Sequence, residues 1–208
     1  AATSALAASY LAKKDASSIL ILGTGALSMN LIRAHCDIRP IKKVFVWGRN
    51  FKKAALISQG FDQKQYEVIP VKDYFDVLSE VDIISCATLS KKPLVLGKYL
   101  KKGQHLDLVG AYKKDMREAD DKAVSKSVVF LDTYQGGLKE SGDIVITIQN
   151  GILKEADIKA DLFALCSGSH KGRQSDNEIT FFKSVGHASE DLIGARYYYG
   201  QWKDNDLK

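Results

Sequence analysis

Little in this 208-residue chain invites disulfide or metal chemistry. It has only three cysteines, Cys36, Cys86 and Cys166, far apart and odd in number, with no Cys-x-x-Cys pair. That argues for free thiols in a reducing, cytoplasmic setting. The four histidines show no His-Glu-x-x-His or other ligand spacing, so no metal site is expected. No apolar run approaches the ~18 residues of a membrane span, so no membrane partner is expected. The opening AATSALAASYLAKK carries its positive charge after its apolar part, the reverse of a signal peptide. A Gly-x-Ser-x-Gly nucleophile elbow is missing, which sets hydrolase chemistry aside. Net charge is +5, but the lysine pairs (Lys13-Lys14, Lys42-Lys43, Lys52-Lys53, Lys91-Lys92, Lys101-Lys102, Lys113-Lys114) are scattered among acids. A nucleic-acid binder concentrates such charge, so no nucleic acid is expected. Internal repeats and low-complexity segments are also lacking.

What remains is a chain that is 45% hydrophobic, enough for one large domain or a domain with an appendage. It begins on Ala and directly on a helical pattern, as a piece of something longer would. Residues 2–13 read as a helix with Leu6, Tyr10 and Leu11 on one face and Lys13-Lys14 complementing its negative end. Residues 17–22 form an apolar run of the kind buried on both faces of a sheet. Helix 26–35 follows, with Leu27, Leu31 and Ala34 along one side. Then come strand 44–47, helix 51–58, strand 67–71, helix 74–78, strands 81–86 and 105–109, helix 120–125 and strand 128–131. Alternation at this pitch predicts a Rossmann-type α/β fold: a doubly wound parallel sheet with helices on both faces. Beyond Gly142 the pattern loosens. A polar loop covers 167–176 and a helix is expected over 184–199. The expected division is a dinucleotide-binding domain over 1–170 and a C-terminal loop and helix over 171–208.

The stretch ILILGTGALS places Gly23-x-Gly25-x-x-Ser28 between a strand and a helix, the context a dinucleotide-binding turn requires. Gly23 suits the tight turn. Gly25 lets the backbone approach a pyrophosphate seated on free helix amides, and Ser28 is small enough for close packing. Thr24, Ala26 and Leu27 complete the turn. The second strand, VFVWGRN, ends roughly 25 residues on, where an NAD-binding domain would offer a carboxylate to the ribose. Here stand Gly48, Arg49 and Asn50. A guanidinium grips a 2′-phosphate that a carboxylate would repel, so NADP(H) is the expected cofactor, with NAD(H) second. Ala87 and Thr88 end the fourth strand and should sit beside the ribose. Val109, Gly110 and Ala111 end the fifth and should leave room for the nicotinamide.

Several separated motifs resemble one family. AATSALAASYLA, ILGTGALS, VFVWGRN, DIISCATLSKKPLV, HLDLVGAY…MRE, LKESGD and SDNEITFFKSVGHASEDL match the C-terminal two-thirds of the ornithine cyclodeaminase/μ-crystallin family, in the family's order. The resemblance implies a Rossmann domain, a homodimer built through a separate N-terminal domain, and nicotinamide chemistry on small amino or imino acids. Family members include cyclodeaminases, which are lyases that recycle NAD, together with alanine dehydrogenases, ketimine and Δ1-pyrroline-2-carboxylate reductases, and the hormone-binding μ-crystallin. The N-terminal substrate domain, source of the Arg and Lys that hold the substrate carboxylate, is absent from this sequence. Cyclodeaminases also carry an Asp two residues after the glycine that ends the fifth strand, and here Tyr112 stands there. A phenol is a poor base at neutral pH but can donate to an imine. This favours imine reduction or amino-acid dehydrogenation over ornithine cyclisation or a non-catalytic binding protein. The FKSVG segment resembles the family stretch near the nicotinamide, so Ser184, Val185 and Gly186 join the expected cofactor site. Tyr112 and Lys183 are the candidate catalytic residues, although a tyrosine here also suits a mere wall of the pocket and a lone lysine is more often solvated. His187, Glu190 and Asp191 share a helix face without needing a catalytic role.

Overall fold

A computed structural model describes residues 1–206. Eight strands form one all-parallel sheet: β1 (Ser18–Leu22), β2 (Lys43–Trp47), β3 (Glu67–Pro70), β4 (Ile83–Cys86), β5 (His105–Leu108), β6 (Ser127–Leu131), β7 (Ala160–Asp161) and β8 (Ile179–Lys183). Their order across the sheet is β3-β2-β1-β4-β5-β8-β6-β7. The chain winds outward from β1 through β2 to β3, then crosses back to place β4 on the other side of β1. This reversal makes a crevice beyond the carboxyl ends of β1 and β4, where open α/β sheets take ligands.

Side-chain alternation builds the two layers. Leu20 and Leu22 of β1 point into one core with Ile84, Leu106 and Phe181. Ile19 and Ile21 point into the other with Val44, Val46, Leu31 and Ile32. Strands β4, β5 and β8 are buried along their whole length, as expected of parallel strands covered on both faces.

The covering helices are α1 (Ala2–Leu11), α2 (Ser28–Ile38), α3 (Phe51–Gln59), α4 (Phe75–Leu78), α5 (Asp121–Ser125), α6 (Tyr134–Glu140), α7 (Gly142–Gln149), α8 (Leu162–Cys166) and α9 (Ala188–Asp206). Helix α1 differs from its expected form. Its buried face is Ser4, Ala5, Ala7, Ala8 and Leu11, whereas Leu6 is exposed. Its orphan carbonyls are not served by Lys13-Lys14. Arg39 donates to the carbonyls of Ala8, Ser9, Ala12 and Lys13 at 2.8–3.0 Å, and Arg173 Nε donates to Leu11 O at 2.7 Å. Two guanidiniums thus serve the negative end of the helix.

The loosened pattern after Gly142 conceals α7, α8 and β8. Residues 179–183, read from sequence as part of an appended loop and helix, lie between β5 and β6 inside the sheet. Only α9 stands apart. It starts at Ala188 rather than 184, and Leu192, Ile193, Tyr197, Tyr198, Tyr199 and Trp202 are exposed along it. Among the described residues no helix is long and apolar enough to cross a membrane, and no group of three or more His, Cys, Asp or Glu is placed to hold a metal ion. The three cysteines are unpaired.

Candidate functional site

The turn after β1 is built by backbone constraints. Gly23 adopts φ +129°, and a Cβ there would stand 2.6 Å from Ala87 O, so only glycine lets β1 and β4 end this close together. The buried Ser28 Oγ donates to Gly23 O at 3.0 Å and locks the turn against α2. Helix α2 starts at Ser28, later than expected, and Leu27 is exposed instead of packing beside Leu31. The amides of Thr24, Gly25, Ala26 and Leu27 have no protein acceptor among the described residues. A Cβ on Gly25 would meet nothing within 4 Å. Free amides at a positive helix end, facing open space at the sheet's reversal point, make a cradle for an anion.

The end of β2 completes this rim. Gly48 is buried beneath Thr24, while Arg49 and Asn50 are exposed. Asn50 caps α3 by accepting from Lys52 N at 3.0 Å. Arg49 has no carboxylate partner among the described residues, which leaves its guanidinium available.

On the other side of the crevice, the ends of β4 and β5 are sewn together. Ala111 N donates to Thr88 O at 3.0 Å, and Gly110 N to Cys86 O at 3.2 Å. A Cβ on Gly110 would fall 2.0 Å from Thr88 O and 2.3 Å from Glu118 Oε1. The Cβ side of Gly110 is therefore filled by protein, and the glycine is needed for this crossing. Ala111 follows in the left-handed region at φ +42°, a conformation that costs a non-glycine residue about 1–2 kcal/mol. Tyr112 then projects outward, 43% exposed. Asp115 pairs instead with Lys91 at 2.7 Å on the surface.

Lys183 is not the solvated lysine its type suggests. It ends β8, is fully buried, and donates from Nζ to Gly110 O. Two carboxylates face it, Asp143 Oδ2 at 3.5 Å and Glu118 Oε2 at 3.8 Å. Glu118 Oε1 accepts from Thr88 N at 2.6 Å and Thr88 Oγ1 at 2.8 Å. Asp143 Oδ1 accepts from Glu118 N and Ala119 N at 2.8 and 2.9 Å. Burial pushes the Glu118 carboxyl up to about 7, with Asp143 adding to the shift while Lys183 and the Thr88 hydrogen bonds oppose it. One cation thus faces two buried carboxylates.

Neither Glu118 nor Asp143 was singled out from sequence, although both lie in motifs quoted above, MRE and LKESGD. Asp132 was also missed. It follows β6, and its Oδ2 accepts from Ser184 Oγ, Val185 N and Gly186 N at 2.7–3.0 Å. A lone carboxylate directly after an apolar strand was the available signal. The expected cofactor residues Ser184, Val185 and Gly186 are therefore a loop held by one carboxylate. His187, Glu190 and Asp191 form no triad: His187 Nδ1 bonds Ser189 Oγ at 2.7 Å, and Glu190 accepts from Thr3 at 2.8 Å.

A model of the ornithine cyclodeaminase/mu-crystallin family matches residues 1–206. The chain is 42% identical over 207 residues to an uncharacterised protein of Schizosaccharomyces pombe, covering 96% of this chain and 63% of that protein. It is 36% identical over 198 residues to the Δ1-pyrroline-2-carboxylate reductase of Paracoccus denitrificans, covering 95% and 63%. The solved Thermococcus litoralis Δ1-pyrroline-2-carboxylate reductase, in complex with NADH and L-proline, superposes with a TM-score of 0.94 at 34% identity, over 99% of this chain and 65% of that one. The chain thus spans about 63% of the length of these curated relatives.

Proposed function

The chain belongs to the ornithine cyclodeaminase/mu-crystallin family, and from that premise we propose that it is the dinucleotide-binding part of an NAD(P)H-dependent reductase. Its substrate would be a small cyclic imino acid of the Δ1-pyrroline-2-carboxylate kind. The observation that carries this reading is the Gly23–Leu27 turn, whose free amides open onto space at the reversal point of the sheet. The Thermococcus relative, solved with NADH and L-proline, supports the same pairing of cofactor and ring acid.

The residues present fit such a cofactor. The amides of residues 24–27 would hold the pyrophosphate on the positive end of α2. Arg49 would grip a 2′-phosphate, which favours NADP(H) over NAD(H). Thr88, Val109, Gly110 and the Ser184–Gly186 loop would border the nicotinamide half. When bound there, a dihydronicotinamide would supply the hydride that reduces the substrate's imine carbon. The chain's own part is to orient, exclude water and offer a proton. Tyr112 is the exposed donor at this edge, suited to hydrogen-bonding an imine nitrogen. Lys183 lies beneath Gly110 and cannot reach a ligand directly, so its role is support. The carboxylate-holding groups would come from the remaining third of the protein, through which we also propose a homodimer. A cytoplasmic setting agrees with the unpaired thiols.

The test is turnover by the full-length protein. Stoichiometric NADPH oxidation with Δ1-pyrroline-2-carboxylate, giving proline, is the expected result. Ornithine yielding proline and ammonia with only catalytic NAD would establish a cyclodeaminase instead, and dinucleotide binding without any turnover would leave a binding protein.

A further inference from the structure

The Lys183–Glu118–Asp143 cluster touches no open surface, yet both loops of the nicotinamide half hang from it. Thr88, at the end of β4, gives both its amide and its hydroxyl to one oxygen of Glu118. The carbonyl of Gly110, at the end of β5, takes the ammonium of Lys183. Glu118 itself is pinned from behind, its amide held by Asp143 and its carbonyl accepting from Leu94 N and Val95 N at 2.9 and 2.8 Å. The second oxygens of Glu118 and Asp143 have no hydrogen bond and are aimed at the ammonium. A buried cluster of three ionisable groups is a costly way to fill space, since well-packed apolar residues would serve stability as well or better. The geometry instead fixes two loop ends at one height.

We propose that Glu118 is a positioning residue that, with Lys183, sets the Thr88 and Gly110 walls against which the nicotinamide half of the dinucleotide is held. This rests on the dinucleotide reading above. Glu118 supplies a fixed acceptor for Thr88 and a counter-charge for Lys183. Lys183 in turn holds the Gly110 carbonyl, and with it the left-handed Ala111 turn that presents Tyr112. The adenine half, bordered by Gly23–Ser28 and Arg49, has no hydrogen bond to the cluster.

The experiment compares Glu118→Ala and Glu118→Gln in the full-length protein, with amide hydrogen exchange read without ligand and affinities read for NADPH and for 2′,5′-ADP. In Glu118→Ala, exchange at Thr88 and Ala111 should quicken about tenfold or more, while sheet amides such as Leu22 and Val46 stay protected. NADPH should bind about tenfold or more weakly, with 2′,5′-ADP within about twofold of the unsubstituted protein. Glu118→Gln keeps an acceptor for Thr88 and should restore most of the exchange protection. Should Glu118→Ala prove too unstable, Thr88→Val removes one of the two bonds and must show the same split at smaller size. Equal weakening of both ligands, or NADPH affinity and loop exchange unchanged, overturns the proposal. If the unsubstituted protein binds neither ligand while the exchange pattern holds, the dinucleotide reading fails and the nicotinamide role falls with it, leaving only the tether.

Discussion

Gly48 lies so close under Thr24 that a Cβ on it would stand 2.5 Å from Thr24 Cγ2 and 2.8 Å from Thr24 Oγ1. The end of β2 thereby braces the glycine turn after β1, and the brace works only while position 48 lacks a side chain. In Gly48→Ala the new methyl must drive Thr24 into the turn whose amides are the cradle. Dinucleotide affinity should fall by about tenfold, or ~1.4 kcal/mol. Thr24→Ala deletes both colliding atoms, so the double variant should bind better than Gly48→Ala alone. Calorimetric titration of the four proteins checks this, and strictly additive losses would show that the two residues are not coupled.

Arg49 stands exposed beside that brace without a carboxylate partner among the described residues. A guanidinium–phosphate contact is charge-assisted and contributes about 1.5–3 kcal/mol. Arg49→Ala should therefore raise the NADPH dissociation constant by roughly 10- to 100-fold while leaving NADH within about twofold. Competition titration with both cofactors decides it. Equal losses mean that the side chain does not read the 2′-phosphate.

The parts of this molecule that were legible in the sequence are those in which local pattern and burial agree. Ile19–Leu22 and Val44–Trp47 read as strands because apolar residues run continuously where both faces are covered, and the Gly23–Ser28 spacing marked the turn between them. Strand β8 was hidden because ITFFK is short, follows a long polar loop, and ends in a lysine whose charge suggests solvent. Nothing local says that Lys183 meets two carboxylates from Glu118 and Asp143, since those contacts span tens of residues. Periodicity also misplaced Leu6 and Leu27, because a helix end or a helix built on alanine buries small residues and leaves the larger ones outside. The family motifs named the right segments without saying that Gly110 is a glycine for the sake of Thr88 and Glu118.

Asp132 is the anchor of the Ser184–Gly186 loop, with three donors on Oδ2 and Thr133 N on Oδ1 at 2.6 Å. Hydrogen bonds to a buried carboxylate are among the stronger ones, and their loss leaves donors unpaired. Asp132→Ala should lower unfolding free energy by about 3 kcal/mol, read as a reduced urea midpoint. It should also weaken the dinucleotide, because the proposed function puts the freed loop against the nicotinamide half. A midpoint within experimental error of the unsubstituted protein would mean that solvent takes over these donors.

His105 sets the acid limit of stability. Thr180 Oγ1 spends its hydrogen on Leu11 O at 2.9 Å and accepts from Arg173 at 3.0 Å, so His105 Nδ1, 3.0 Å away, must be the donor. Nε2 is buried without a partner. The ring is therefore held neutral. Burial lowers it from 6.5 to about 3, Asp107 opposes that shift, and His35, Arg173 and Arg39 reinforce it. With the folded value depressed, the unfolded chain takes up the proton first as pH falls. The contribution of neutral His105 is present above 6.5 and is lost toward 3, by up to about 1.4 kcal/mol per pH unit. Glu118 runs the other way: raised from 4.5 to about 7, it contributes most below 4.5, and that part is lost as pH climbs through 7. Between 4.5 and 6.5 the two slopes are opposite in sign and similar in size and nearly cancel, and below 4.5, where Glu118 is protonated in both states, the loss at His105 stands alone. His105→Asn keeps a donor toward Thr180 but cannot take up a proton. Its melting temperature should then rise on acidification from pH 6.5 to 4.5, where the unsubstituted protein is nearly flat, and should fall less steeply than the unsubstituted protein from pH 4.5 toward 3. Parallel pH profiles for the two proteins would place the acid sensitivity elsewhere than at His105.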